Sequence, residues 1–461
     1  MPSHTSRHTA VAAAGGLVAF AAFGLAAPAG AAAAATPTIS LSSAYLSGAV
    51  GATGDPTVTV QVAQSGTDAS ALTVTASASS RTSVAQTGDV TVSGTGASRT
   101  VSVAARGQGY TDLTLEVTGS GGATATAKLH YAASESVQAP ADTRYLTGSS
   151  DASAAVDVGD GHVVVADDES NVLRLYDGSA SGAPVRTWDL SDALGADKEV
   201  DIEGGTRVGD LIYWTGSLGN NKSGEYKADR NTVFTTSVSG SGAATRLSYE
   251  HAYTKLRDKL VDWDEANGDR YGFADATADG QVPKQIDGFN VEGLEFAPGS
   301  TTTAYLGFRA PLVPPQNGGK ALLVPVTNVD QVLASGAAPV FGAGIELDLG
   351  GLSVRDIRKN AHNQYVIVAG SWAADDNSDP YALYRWDGVA GHAPSKLRDL
   401  PTSDPGGWES VVSVPDLDTA GGRVQLITDN GDADLYGDGT AAKDLTHDAW
   451  KKSRTVRFPL S

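Results

Sequence analysis

Asp201-Ile202-Glu203-Gly204-Gly205, running on into Leu211-Ile212-Tyr213-Trp214-Thr215-Gly216, is the stretch on which the fold turns, because its pattern returns along the chain. Each return opens on a small or acidic turn, enters an apolar strand, and passes through a Gly/Asp/Asn turn into a third strand. The other units begin at residues 151–156, 290–294, 354–357 and 408–411. Fourth strands follow the first four units, at 185–190, 245–249, 345–349 and 396–400. The fifth unit has none, and residues 143–147, ahead of the first, have the composition to supply it. This grammar predicts an all-β chain with a β-propeller of five blades, six being the alternative count, closed by an N-terminal strand.

A chain of 461 residues exceeds what one hydrophobic core serves and implies two or three domains. It has no Cys, which excludes disulfide frameworks, zinc ribbons, iron–sulfur sites and thiol nucleophiles. A net charge of −20 repels phosphate backbones and argues against a general nucleic-acid binder.

The acidity is uneven. Over residues 36–135 acids and bases nearly balance, so almost all of the excess lies downstream. This neutral stretch alternates apolar and polar residues in runs such as Thr57-Val58-Thr59-Val60-Gln61-Val62, separated by Gly/Ser/Asp turns. It reads as an immunoglobulin-like β-sandwich without the Cys…Trp…Cys signature. With no Trp and one His, His130, it is expected to be a spacer or adhesive module without chemistry. Residues 136–142 read as a linker and 143–461 as the propeller. Residues 1–35 read as a signal peptide: Arg7 and His8 close a weakly basic start, residues 9–27 are apolar and Ala-rich, and Ala29-Gly30-Ala31 offers a small-residue cleavage site. Export from the cell is the expectation, with no membrane span in the mature chain.

Overlaying the five unit openings aligns Ser153, Glu203, Glu292, Arg355 and Glu409. Innermost propeller strands surround the axis, so equivalent residues converge on one channel. Three carboxylates there repel one another and require a cation, a shared proton or an arginine. Two readings stand side by side. Either Arg355 ties the glutamates into a structural ionic girdle, or Glu203, Glu292 and Glu409 hold a hard cation such as calcium and serve in catalysis. A second cluster falls at strand ends: Asn220, Asn221, Lys222, Arg230 with Asn231, and Arg309. Cations beside an amide-rich turn suit a phosphate or carboxylate ligand, while salt bridging to neighbouring acids is the plainer alternative.

The interval between the second and third units is the long one. Tyr253, Leu256, Leu260 and Trp263 recur at helical spacing, predicting an amphipathic helix over 252–265 that lies on the ring. The acid-rich turns 262–269 and 429–434 are calcium-like in composition, but neither has EF-hand spacing and both read as solvated turns. No nucleophile elbow, P-loop or HExxH is present.

The same residues carry a family likeness. Asp201-Ile202-Glu203-Gly204-Gly205, Asn221-Lys222, Arg230-Asn231, Asn290-Val291-Glu292-Gly293-Leu294, Gly307-Phe308-Arg309, Val354-Arg355-Asp356-Ile357 and Trp408-Glu409 resemble a bacterial family of propeller-like proteins, catalogued as domain-of-unknown-function family 3616. The resemblance spans about residues 151–460 and implies the propeller but no reaction. Leu218 departs from it, standing where His is expected, which puts a proton-transfer role at that turn in doubt. The Asp-x-Glu-Gly element is more distantly similar to phytase-like esterase propellers, an analogy of fold alone.

Two functions follow. One is a secreted, metal-assisted hydrolase of anionic esters, phosphate or carboxylic. Glu203, Glu292 and Glu409 would hold the cation or a water, and Asn221, Lys222, Arg230, Arg309 and Arg355 the anion. The other is a non-catalytic extracellular propeller that binds a glycan, peptide or cell-wall component, with Trp214, Trp372 and Trp408 as rim aromatics. The expected partner is a small anionic ligand or an extracellular polymer, bound by a monomer.

Overall fold

Five inner strands set the architecture of the downstream part. The computed structural model describes residues 35–373, 380–402 and 406–460. Within them Ala152–Gly159, Ile202–Val208, Asn290–Phe296, Ser353–Lys359 and Gly407–Ser413 each pack beside the next, and the last packs beside the first. Each begins a four-stranded antiparallel sheet, so the chain forms a five-bladed β-propeller. In blades 1 to 4 the strands follow chain order from the axis outward. Blade 5 is completed differently: its third strand, Lys452–Pro459, pairs with Thr143–Thr147, which precedes blade 1, with Thr147 opposite Lys452.

Blades pack face to face through large side chains buried between them. Trp214 and Phe234 lie in one such layer, Phe296 and Phe308 in the next, then Tyr365 and Trp386, then Trp408 and Phe458. Two of the expected rim aromatics are therefore core residues. Trp214 is 0% exposed and donates its indole N–H to Thr236 Oγ1 at 3.0 Å. Trp408 is buried against Phe458 and donates to the Pro401 carbonyl at 2.9 Å. Packing claimed both rings; Trp372 is half-buried.

The insertion after blade 2 contains the helix Leu256–Ala266, which starts later than expected. Ala252 and Tyr253 stay in the strand Arg246–Tyr253, paired with Phe234 and Val233. Tyr253 fits both a strand alternation and the helical spacing, so periodicity alone misplaced the boundary. Leu256 and Leu260 are buried with Phe273 and Phe289 in the layer between blades 2 and 3. Asp264, expected in a solvated turn, is fully buried and structural: its carboxylate accepts the Tyr271 and Phe273 N–H groups, each at 3.1 Å. Asp434 organises the other acid-rich turn by accepting the N–H groups of Tyr436, Gly437, Asp438 and Gly439.

Upstream, two four-stranded sheets share one core built on Val60, Leu113, Leu115, Val117 and Leu129. One of their pairings, Tyr45–Ala49 beside Thr124–Ser134, is parallel. This unit sits against blade 5, where Tyr45 stacks on His447 with ring centroids 3.7 Å apart. Residues 1–34, nearly all of the expected signal peptide, lie outside the described residues. Among the described residues no helix is long and apolar enough to cross a membrane.

Candidate functional site

The five aligned positions do face one axis, and a local irregularity presents them. Ser153, Glu203, Glu292, Arg355 and Glu409 each fall where the ladder between inner and second strand slips by one residue. A bulge re-aims the side chain it carries and increases the local twist. Repeated in all five blades, it turns one side chain per blade toward its neighbours. The glycine that follows Glu203 is required by the same crowding: a Cβ on Gly204 would lie 2.9 Å from the Glu292 carbonyl oxygen.

Two of the three glutamates are neutralised by arginine. Glu292 accepts from Arg309 Nη1 at 2.9 Å and lies 3.0 Å from Arg355 Nε. Arg355 also donates to both carboxylate oxygens of Glu409. Arg309 continues outward to the backbone carbonyls of Trp372 and Ala373. All four side chains are buried, Arg309 and Arg355 being 1% and 2% exposed. Ser153 donates instead to the Ile202 carbonyl. From blade 3 to blade 5 the ring is an ionic girdle.

Glu203 is different. It is 9% exposed, and among the described residues no hydrogen-bond donor reaches its carboxylate. Its neighbours are acids: Asp168, Asp201 and Glu203 each bring a carboxylate oxygen within 4.8 Å of the other two. Asp168 directly follows the second strand of blade 1, His162–Asp167, and among the described residues its Oδ1 is buried with no hydrogen-bond partner. Asp201 is held in the left-handed region at φ +59°, a conformation Asp tolerates better than most residues. Arg230 anchors it, with Nη1 2.8 Å from Asp201 Oδ2 and Nη2 3.2 Å from Glu199. Burial pushes the Glu203 carboxyl well above the usual carboxylate range, and Glu292 and Asp201 push it further, while Lys284 pulls back. Asp168 is raised in the same way by burial, then by Asp429 and Glu203. Asp429, at the end of the second strand of blade 5, is raised by burial and by Asp151. A buried carboxylate cluster of this kind exists either protonated or with a cation.

The expected anion-binding residues are dispersed in role. Arg230, Arg309 and Arg355 are each engaged by carboxylates. Asn221 organises its own turn, with Oδ1 accepting from Ser223 and Glu225 N–H and Nδ2 donating to the Glu225 carboxylate. Lys222 beside it is exposed. Asn220 and Asn231 hold the insertion through Arg257. Leu218, in the turn where the family likeness implies His, has φ +57° and a buried side chain. The overlay of inner strands reaches none of Asp151, Asp168, Asp201 and Asp429. Asp168 directly follows the second strand of blade 1 and Asp429 ends that of blade 5; an acid at the strand end was the available signal, joined at Asp429 by the calcium-like composition of the turn 429–434.

No family model matches the chain, and no curated protein matches it. Among solved structures it is similar to the glutaminyl cyclase of Myxococcus xanthus, with 12% identity over 69% of this chain and 95% of that one, at a TM-score of 0.33. It is similar to YCF48 from Cyanidioschyzon merolae, with 11% identity over 75% and 76% and a TM-score of 0.28. It is also similar to virginiamycin B lyase from Staphylococcus aureus, with 11% identity over 63% and 68% and a TM-score of 0.27. These proteins differ in activity, and nothing about this chain's chemistry follows from them.

Proposed function

We propose that the chain is an exported member of the bacterial family 3616 that acts on an anionic ester with a hard divalent cation, calcium foremost. The residues for the cation are Asp168, Asp201 and Glu203: of the expected set of Glu203, Glu292 and Glu409 only Glu203 is kept, and the two aspartates replace the glutamates that arginine already neutralises. One observation carries the reading: Glu203 is a buried carboxylate that no donor reaches among the described residues, set among further carboxylates. Oxygen-only donors of this charge suit calcium or magnesium and not softer metals. The cation would supply positive charge to polarise a phosphate or carboxylic ester oxygen. Arg230 fixes Asp201, and the Arg309–Glu292–Arg355–Glu409 girdle holds the inner strands that present Glu203.

The engagement of Arg230, Arg309 and Arg355 favours a second reading, a cation-dependent binding propeller without turnover, because it leaves no ready-made arginine clamp for a leaving group. A panel of phosphate and carboxylic esters, assayed with calcium and with chelator, separates the two. Calcium-dependent turnover lost in Glu203→Gln supports the hydrolase. Calcium-dependent stabilisation without turnover supports the binding propeller. Absence of any calcium response removes both.

A further inference from the structure

The channel does not run from end to end. Three residues past the girdle, Arg358 of the blade 4 inner strand turns its guanidinium across the axis. Nη1 donates to the Gly205 carbonyl, Nη2 to Ala155 at 3.0 Å and Nε to Val411 at 3.4 Å. Those carbonyls belong to blades 2, 1 and 5, so a single side chain bars the passage. Beyond this bar the inner strands open into a cavity of 590 Å³ lined from all five blades. Small-molecule sites commonly measure about 300–1,000 Å³.

The two mouths differ in charge, one acidic and the other with cations in excess of acids. Against Asp168, Asp201 and Glu203 at one end, the cavity at the other gathers Arg207, Arg358 and Lys359 beside two acids, Glu295 and the exposed Asp157, which accepts the Gly159 N–H at 2.7 Å. Its buried acid, Glu295, is already satisfied by the protein: it accepts from the Thr206 hydroxyl at 2.9 Å, the Phe296 N–H at 2.7 Å and the Lys359 N–H at 3.0 Å. Lys359 Nζ donates to the Ala297 carbonyl at 3.0 Å and to Asn363 Oδ1 at 3.4 Å, and lies 5.9 Å from the centroid of the Tyr365 ring. Arg207 Nε donates to the Gly209 carbonyl at 2.9 Å, and its Nη groups come no nearer than 3.9 Å to the exposed Asp210. Three cations against two acids around a closed-bottomed cavity, with the Arg207 Nη groups bound to no close carboxylate, recognise negative charge in a chain of net charge −20.

We propose that this vestibule is a second binding site, for a small molecule bearing two or more negative charges as phosphate or carboxylate. It is independent of the cation at the opposite mouth. Calorimetric titration of the full chain in EDTA, with glucose 6-phosphate and with succinate as probes, tests it. Glucose and sodium chloride at equal ionic strength are the controls. Saturable binding of either anion, and not of glucose, is expected, and the anion preferred tells phosphate from carboxylate. Arg207→Gln should weaken that binding about tenfold or more, the loss of one charge-assisted hydrogen bond, while leaving the ligand-free melting temperature unchanged. Lys359→Gln provides a second variant on the other wall, with the same expectation for binding. No binding beyond the salt control, or undiminished binding in both variants, overturns the proposal.

Discussion

Glu203 and Glu292 occupy the same step of the same motif and are solved by the protein in opposite ways. Glu292 has two arginines; Glu203 has two aspartates. Changing each to Gln should therefore move stability in opposite directions. Glu292→Gln leaves Arg309 and Arg355 under-compensated in a dry ring and should cost about 3–5 kcal/mol, with no dependence on calcium. Glu203→Gln removes a repelled carboxylate and should raise the melting temperature in chelator, while shrinking the rise that calcium produces in the parent chain. A thermal scan of the three chains, each with calcium and with chelator, reads both. The same cluster sets a pH dependence. Glu203, Asp168 and Asp429 hold protons above the ordinary carboxylate range when folded, whereas the unfolded chain releases them within it. The native state thus binds more protons, and in chelator stability should fall as pH rises through that interval. Calcium should flatten the fall, and an unchanged slope with calcium would count against the cation site.

The inner strands show how much of this was legible in advance. The repeat, the blade count and the closing strand were readable because each blade spells the same apolar runs and turns, and because the fifth lacks a fourth strand of its own. The convergence of Glu203, Glu292, Arg355 and Glu409 followed from that repeat. What the repeat could not show is the bulge at each of these positions, since a bulge is a relation between two strands. Nor could it show that Asp168 and Asp429 join from the far ends of second strands, or that Trp214 and Trp408 are packing residues. The closing strand Thr143–Thr147 gives the prediction at this scale. It buries Tyr145 and Leu146, at 1% and 2% exposure, and satisfies the edge of the strand Lys452–Pro459. A chain starting at Ser149 loses both and should be less stable than one starting at Val137 by roughly 3–6 kcal/mol, from about 1.5–3 kcal/mol per large apolar side chain. Equal denaturation midpoints for the two truncations would show that blade 5 stands with three strands.

The upstream sheets are not a loose appendage, and their seam with the propeller carries a titration of its own. Lys452, 1% exposed in blade 5, donates Nζ to the Gly48 carbonyl at 2.6 Å and lies over the Tyr145 and Tyr436 rings. Gly48 is needed there, since a Cβ would fall 2.1 Å from the Tyr131 hydroxyl and 2.7 Å from Asp55 Oδ2. Burial pushes Lys452 down to about 7, with Arg454 adding to the fall and Asp55 opposing it. Burial pushes Asp55 up to about 6, against the pull of Lys452 and of the Ala49 N–H. The signs of the two contributions differ. Between its ordinary value and about 6, Asp55 keeps a proton in the folded chain that the unfolded chain has lost, so stability falls with rising pH. Above about 7 the unfolded chain holds a proton that folded Lys452 has lost, so stability recovers as pH rises. Tyr131 and Tyr145 are also raised by burial, which confines a clean reading to pH below the ordinary tyrosine range. Denaturation midpoints should therefore climb between about pH 7 and 9, and Lys452→Met should abolish the climb. Because the seam also stacks Tyr45 on His447 and sets Tyr110 against Tyr436 and Trp450, a protease that nicks residues 135–139 should leave the two parts associated on size exclusion. They should part at a lower denaturant concentration near pH 6.5 than at pH 9. Separation at the same concentration at both values would place the titrating group elsewhere than at Lys452.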